Sequence, residues 1–494
     1  MRKSVIPALA LILTACSPKA PSAFSTVDKV PSIFPDYTDV TIPCNIAPMN
    51  FLIEQDADRY VTVLESESGK VSIKGKEVRI PKSKWRALTG SQLITVRIYT
   101  KSDGQWSAFS PFSINVSDDI DPYISYRIIM PSVECYERLS INQRDLTSFS
   151  EKVIYSNEMV QTTEQGQCIN CHHYRNYGTD NMQFHTRQYL GGTIMSIDGQ
   201  LRKVNLKTDS TISAGVYPAW HPTHDYIAYS TNKTHQSIHS IDHNRMEVAD
   251  EESDLILYDI RNNSVSVIEN DSAEFECFPA WSPDGRMLYY VSAHYEAPFD
   301  SKRKEKVFQE SREIRYDLYC KPFDPDTRTW GRSALLFKAS DSERSVTLPR
   351  VSPDGKLLMF SMAPYGIFHI WHRESDLWIM NLEDGSIRMP ENLNSPEVES
   401  YHSWSSNGKW VIFSTRREDG AYTRLYLTHR DENDRFSKPF PIPQKDPSFN
   451  REFMYSFNIP EFMKEPVHIT SKQFATFIAN SDPTPARYES KREK

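Results

Sequence analysis

The sequence predicts a mainly β protein, on three observations. Tyr, Phe, Trp, Thr, Val and Ile are common, while runs with helical spacing are scarce. Short β-branched runs alternate with polar residues between Gly, Pro, Asp and Asn turns. One turn-and-strand unit recurs through the second half of the chain. A length of 494 residues leaves room for two or more domains. The 57 Lys and Arg against 65 Asp and Glu give a net charge of −8, without the basic footprint that nucleic-acid binding uses.

The N-terminus reads as a secretion signal over residues 1–15: Arg2 and Lys3, an apolar run over 5–13, then Leu13-Thr14-Ala15-Cys16. The run is too short to stay in a bilayer as a spanning helix. Its last four residues resemble the lipobox of bacterial lipoproteins. That resemblance implies cleavage before Cys16 and lipid on its thiol and amine. With Ser17 next, it implies the outer membrane. The alternative is a soluble secreted protein with a chance cysteine at the cleavage site. Residues 16–35, rich in Ser, Pro and Ala, read as a tether.

Residues 36–118 read as a small domain of short strands. Runs at 60–64, 71–73 and 78–80 are separated by Ser68-Gly69 and Lys74-Gly75 turns. Ile94, Val96 and Ile98 alternate with Thr95, Arg97 and Tyr99, so one face is buried and one wet. Ser102-Asp103-Gly104 is a hairpin turn. These features suggest an Ig-like or fibronectin-like sandwich, for spacing or docking. Residues 119–191 read as a connection, broken at Asp121-Pro122 and Met130-Pro131, with a short helix possible over 138–149.

That connection carries Cys168-Ile169-Asn170-Cys171-His172, the Cys-x-x-Cys-His spacing of c-type haem attachment. Thiols about one helical turn apart can both form thioethers to one porphyrin, and His172 can ligate the iron. Met182 or His185 could supply a sixth ligand. Ordinary core packing is the alternative for Met182. Two other readings stay open: a zinc site recruiting His173 or His185, or a plain disulfide. Outside the cytoplasm thiols tend to oxidise, so Cys44–Cys135 and Cys277–Cys320 are possible pairs. Connectivity does not follow from sequence.

Residues 192–470 repeat. The units are Tyr217-Pro218-Ala219-Trp220-His221-Pro222, Phe278-Pro279-Ala280-Trp281-Ser282-Pro283-Asp284-Gly285, Leu348-Pro349-Arg350-Val351-Ser352-Pro353-Asp354-Gly355 and Tyr401-His402-Ser403-Trp404-Ser405-Ser406-Asn407-Gly408. An apolar strand follows each. Pro presets φ in the turn and Asp-Gly or Asn-Gly tolerates φ > 0. The Trp is expected between neighbouring sheets. Asp225, Asp284 and Asp354 are turn residues by this logic. His235, His239 and His243 share a face only if helical, and read as a solvated insertion loop. No Gly-x-Ser-x-Gly elbow appears, against a propeller peptidase. Residues 471–494 read as a polar tail, disordered after about Asn480.

The repeats resemble the TolB-type β-propeller over about residues 192–443; four blades carry the turn motif, and flanking blades without it at 193–204 and near 424–427 make six the expected count. The mature chain is similar to bacterial lipoproteins that join a β domain, a Cys-x-x-Cys-His segment and a TolB-like propeller. The residues that carry this likeness include Ile42-Pro43-Cys44-Asn45-Ile46-Ala47-Pro48 and Gln143-Arg144-Asp145-Leu146-Thr147-Ser148-Phe149. The expectation is an outer-membrane lipoprotein with one covalent haem c, in electron transfer or redox sensing. The propeller would cover the haem and dock a protein partner. The alternative is a non-haem TolB-like scaffold or binding lipoprotein whose thiol pair is a disulfide or holds zinc.

Overall fold

The computed structural model describes residues 19–130 and 138–490. The segment expected to be an export signal, Cys16 and Cys135 lie outside them. The chain divides into two compact units. One comprises residues up to Asp39, Pro48–Val116 and Lys445–Ser448; the other comprises Val40–Ala47, Ser117–Gln444 and Phe449–Lys494.

In the first unit, strand Leu93–Ser102 pairs with Arg59–Ser66, Gln105–Phe109 and Phe112–Ser117. Ile94, Val96 and Ile98 are fully buried and Arg97 is exposed, but Tyr99, expected on the wet face, is buried with Val61, Val63 and Ala108, so the alternation holds only up to Ile98. Asp103 and Gly104 have φ of 50° and 79°, as a two-residue Asp-Gly hairpin requires. A three-stranded sheet of Ile33–Phe34, Phe51–Ile53 and Glu77–Val78 adds a second layer of pairing. Helix Lys82–Leu88 buries Trp85 and Leu88.

The second unit is built from antiparallel meanders, each starting on an inner strand. Six such strands occur: β1 (Gln167–Arg175), β2 (Val216–Trp220), β3 (Glu274–Trp281), β4 (Ser345–Val351), β5 (Glu399–Trp404) and β6 (Ser456–Met463). Each lies beside the next, and β6 lies beside β1, so the order is cyclic. β1 runs into Gly178–Gln188, Gly192–Ile197 and Gln200–Asn205. β6 pairs instead with Tyr123–Ile129, which continues to Ser140–Asp145 and Glu151–Ser156. One sheet is thus made from both ends of the unit.

This arrangement revises three expectations. Residues 119–191 are strands of two sheets, not a connection, and the helix considered over 138–149 is strand Ser140–Asp145. The tail is ordered over its described residues, 471–490: helix Ser471–Asn480 starts at a Thr470–Gln473 capping box. Beyond it, Thr484–Pro485 and Arg487–Tyr488 add in parallel to Gln200–Asn205 and Ser264–Glu269. Of the three histidines read as a solvated loop, His235 is on strand Tyr226–Ile238, while His239 and His243 lie in the loop after it as expected, so they share no helical face.

The core lies between successive sheets. Ile141, Tyr155, Phe184, Ile194 and Met463 form one cluster, and Met359, Ile379, Trp404, Val411 and Phe413 another. Each such side chain contributes roughly 1.5–3 kcal/mol by leaving water. Trp281 and Trp404 bridge sheets as expected, donating Nε1–H to Ala219 O at 3.0 Å and Arg350 O at 3.2 Å. Gly285, Gly355 and Gly408 take φ of 71°, 73° and 68° in the predicted turns. Asp284 and Asp354 accept hydrogen bonds from Ser282 and Ser352 there.

Candidate functional site

The inner strands share a feature that no turn rule anticipates. Each holds one non-glycine residue in the left-handed region: Cys171 (56°), Tyr217 (48°), Phe278 (52°), Leu348 (56°), Tyr401 (27°) and Ile459 (52°). The ladder register slips at the same point in each. These are β-bulges, which re-aim the side chains that follow. They also set the register between repeats. Cys171-His172-His173-Tyr174 occupies the place of Tyr217-Pro218-Ala219-Trp220, Phe278-Pro279-Ala280-Trp281 and Tyr401-His402-Ser403-Trp404. Ile459-Pro460-Glu461-Phe462 is the last copy.

The bulged strands surround a cavity of about 420 Å³, lined by residues of all six. That volume lies in the range of small-molecule sites. Two positions after each bulge the wall changes character around the ring. β2 and β3 offer Ala219 and Ala280. β4, β5, β6 and β1 offer Arg350, Ser403, Glu461 and His173. These four make one cluster. Arg350 Nη2 donates to Glu461 Oε1 at 2.6 Å, and Arg350 Nη1 lies 3.3 Å from His173 Nε2. Ser403 Oγ donates to Glu461 Oε2 at 3.4 Å. Burial, then the Arg350 guanidinium, hold His173 well below the ordinary imidazole range, so the ring is neutral. Its Nδ1 is buried without a hydrogen-bond partner.

The Cys-x-x-Cys-His motif lies on β1, on a strand rather than on the helical turn its spacing suggested. Cys171 and His172 line the cavity. Cys168 does not; it packs with Leu139, Ile141, Tyr155, Met182 and Phe184 between two sheets. Met182 is fully buried in that same cluster, so core packing accounts for it. His185 is buried with Nδ1 3.1 Å from Thr193 Oγ1, and burial pushes its pKa down to about 3. Neither Met182 nor His185 reaches the cavity.

A haem held by two thioethers needs both thiols to open on one space. Here they do not, and the residues as arranged do not fit that group. His172 has a different counterpart. At the matching position His402 sets Nε2 3.0 Å from Met359 O, tying β5 to the sheet before it. His172 sits likewise near the Ser125 backbone of the preceding sheet, though neither ring nitrogen completes a hydrogen bond. Burial first, opposed by Glu461 and reinforced by Arg127 and His173, lowers its pKa to about 4.

Zinc fares no better. Among the described residues no group of three or more His, Cys, Asp or Glu is placed to hold a metal. His173 faces Arg350 and His185 faces Thr193. Cys44, Cys168, Cys171, Cys277 and Cys320 are free thiols. Cys277 and Cys320 flank the strand Met287–His294, opposite Val291 and Tyr289. Two strand spacings of about 4.8 Å exceed the roughly 7 Å limit for a disulfide. Burial also lifts the Cys171 thiol above its usual range, so it is no activated nucleophile.

Sequence reasoning found Cys171 and His172 and missed Arg350, Glu461, Ser403 and His173 as a group. The signal was present as a break in the repeat: charged residues stand at 350 and 461 where β2 and β3 have alanine.

No known family and no curated protein matches the chain. Among solved structures, Kuenenia stuttgartiensis hydrazine synthase is similar at 11% identity and a TM-score of 0.40, over 66% of this chain and 47% of that one. The chain thus spans about half of that protein's length. A Synechocystis apocarotenoid oxygenase variant gives 12% identity and 0.37, over 85% and 95% of the two chains. A Mycobacterium tuberculosis puromycin-hydrolysing peptidase gives 10% and 0.35, over 85% and 57%. Likeness this distant carries no functional argument.

Proposed function

We propose that the chain is a lipid-anchored binding protein of the bacterial outer membrane, built as a TolB-like six-bladed propeller whose central channel takes a small ligand. The N-terminal unit is an Ig-like spacer and Cys16 carries the lipid. The observation that carries the binding role is the cluster of Arg350, Ser403, Glu461 and His173, drawn from four successive inner strands onto one cavity. Such convergence of a few polar groups on one side of a concavity is the usual form of a ligand site. Function is not routed through haem, because Cys168 faces the core while Cys171 faces the channel.

The test compares the mature chain with Ala280→Trp, which fills the channel from its smooth side. Small molecules that stay with each protein through purification from envelope extract are identified by mass spectrometry. A species retained by the parent and lost from the plugged variant is the expected result. Identical profiles from two equally folded proteins refute the channel as a binding site.

A further inference from the structure

Resting on that channel, we infer that its ligand is a neutral saccharide of one or two rings. The charge balance argues this first. Arg350 and Glu461 already neutralise each other at 2.6 Å, with the Glu461 side chain only 8% exposed. An anionic ligand that recruited Arg350 would strip the cation from a buried carboxylate. A cationic ligand that recruited Glu461 would do the same to Arg350. The first exchange leaves a buried carboxylate without its partner, which is strongly unfavourable; the second unpairs a guanidinium whose side chain is 32% exposed. His172 and His173 are kept neutral by burial. The remaining charge on the lining is Lys464, which is exposed and holds Nζ over the Tyr177 ring at 5.6 Å.

The chemistry of the free valences argues it second. Glu461 Oε2 has only a long bond from Ser403, and His173 Nδ1 has no partner. Acceptor capacity at Glu461 Oε2 therefore lies beside the Ser403 hydroxyl, with Nδ1 itself closed off from solvent. A sugar hydroxyl both donates and accepts, so adjacent hydroxyls can meet this set without breaking the ion pair. The opposite arc is different. Ala219 and Ala280 leave open wall, and Tyr217 packs on Phe278 with ring centroids 4.4 Å apart. A polar edge facing an apolar arc suits the two-faced surface of a pyranose ring.

The experiment titrates the mature chain with glucose, galactose, N-acetylglucosamine, maltose and cellobiose by calorimetry, with glucuronate and glucosamine as charged counterparts. At least one neutral sugar binds, its charged counterpart binds at least about tenfold more weakly, and Ala280→Trp abolishes binding. Ser403→Ala, which removes a hydroxyl without filling space, weakens it without a change in melting temperature. Tighter binding of glucuronate or glucosamine overturns the neutral class while leaving the channel reading intact. Sugar binding unaffected by Ala280→Trp and Ser403→Ala overturns the channel reading itself. No binding by any neutral sugar overturns the inference.

Discussion

His172→Pro separates the repeat from the haem motif. Four of the matching positions are proline: Pro218, Pro279, Pro349 and Pro460. The backbone there accepts the fixed φ of the ring, and His172 falls in the bulge between ladder pairs Asn170–His185 and His173–Gln183. Reduced freedom of the unfolded chain contributes about 0.4–1 kcal/mol in favour of the variant. Removing two buried nitrogens without partners contributes about 1–3 kcal/mol more. Against this stands the lost burial of the imidazole, about 1–2 kcal/mol. The net change runs from about 0.6 kcal/mol against the variant to about 3 kcal/mol in its favour, a melting shift of no more than about 12 °C for a unit of this size. Asn170→Pro, inside the ladder, is the control and costs about 3 kcal/mol or more. Both variants and the parent are matured in a host competent for haem attachment, then melted and assayed by pyridine haemochrome. We expect no haemochrome band from any and a folded His172→Pro. A parent band that His172→Pro abolishes, or a collapse of that variant to the level of Asn170→Pro, refutes the reasoning.

Three further outcomes follow from the same structure. His185 is neutral when folded, with its pKa pushed down to about 3, so the unfolded chain binds the extra proton and stability falls as pH drops below about 6.5. From pH 7 to pH 5 this group accounts for about 2 kcal/mol, and urea titrations of His185→Gln should show a pH dependence shallower by that amount. Arg350→Met leaves the buried Glu461 carboxylate unpaired and costs about 3 kcal/mol in urea unfolding, whereas Arg350→Met with Glu461→Gln costs less than the single change. Truncation after Tyr455 removes β6 and the following helix, leaving the edge of Tyr123–Ile129 open, and should abolish cooperative melting of the second unit in calorimetry.

The regular part of the fold was legible because its causes are local. Asp-Gly turns, alternation at Ile94, Val96 and Ile98, and tryptophans that bridge sheets all follow from neighbouring residues. The first and last inner strands were hidden because they depart from the consensus. β1 has His172 for proline and Tyr174 for tryptophan, while β6 has Phe462 for tryptophan. With that likeness weakened, the Cys-x-x-Cys-His spacing dominated. The bulges were not legible either, since Leu348 and Ile459 are residues that seldom take positive φ. The polar cluster is a matter of distance along the chain. Arg350 and Glu461 are 111 residues apart, and Arg350 and His173 are 177 apart; only the ring brings them together.

The sheet that joins Ser456–Met463 to Tyr123–Ile129 imposes an order in time. A chain emerging N-terminus first must keep Tyr123–Ile129 waiting, with an unpaired edge, while five other meanders are delivered. Throughout that interval the nascent protein is an open arc that can stick to any extended peptide. A holdase that masks a single strand edge would protect it until the final segment arrives as the clasp.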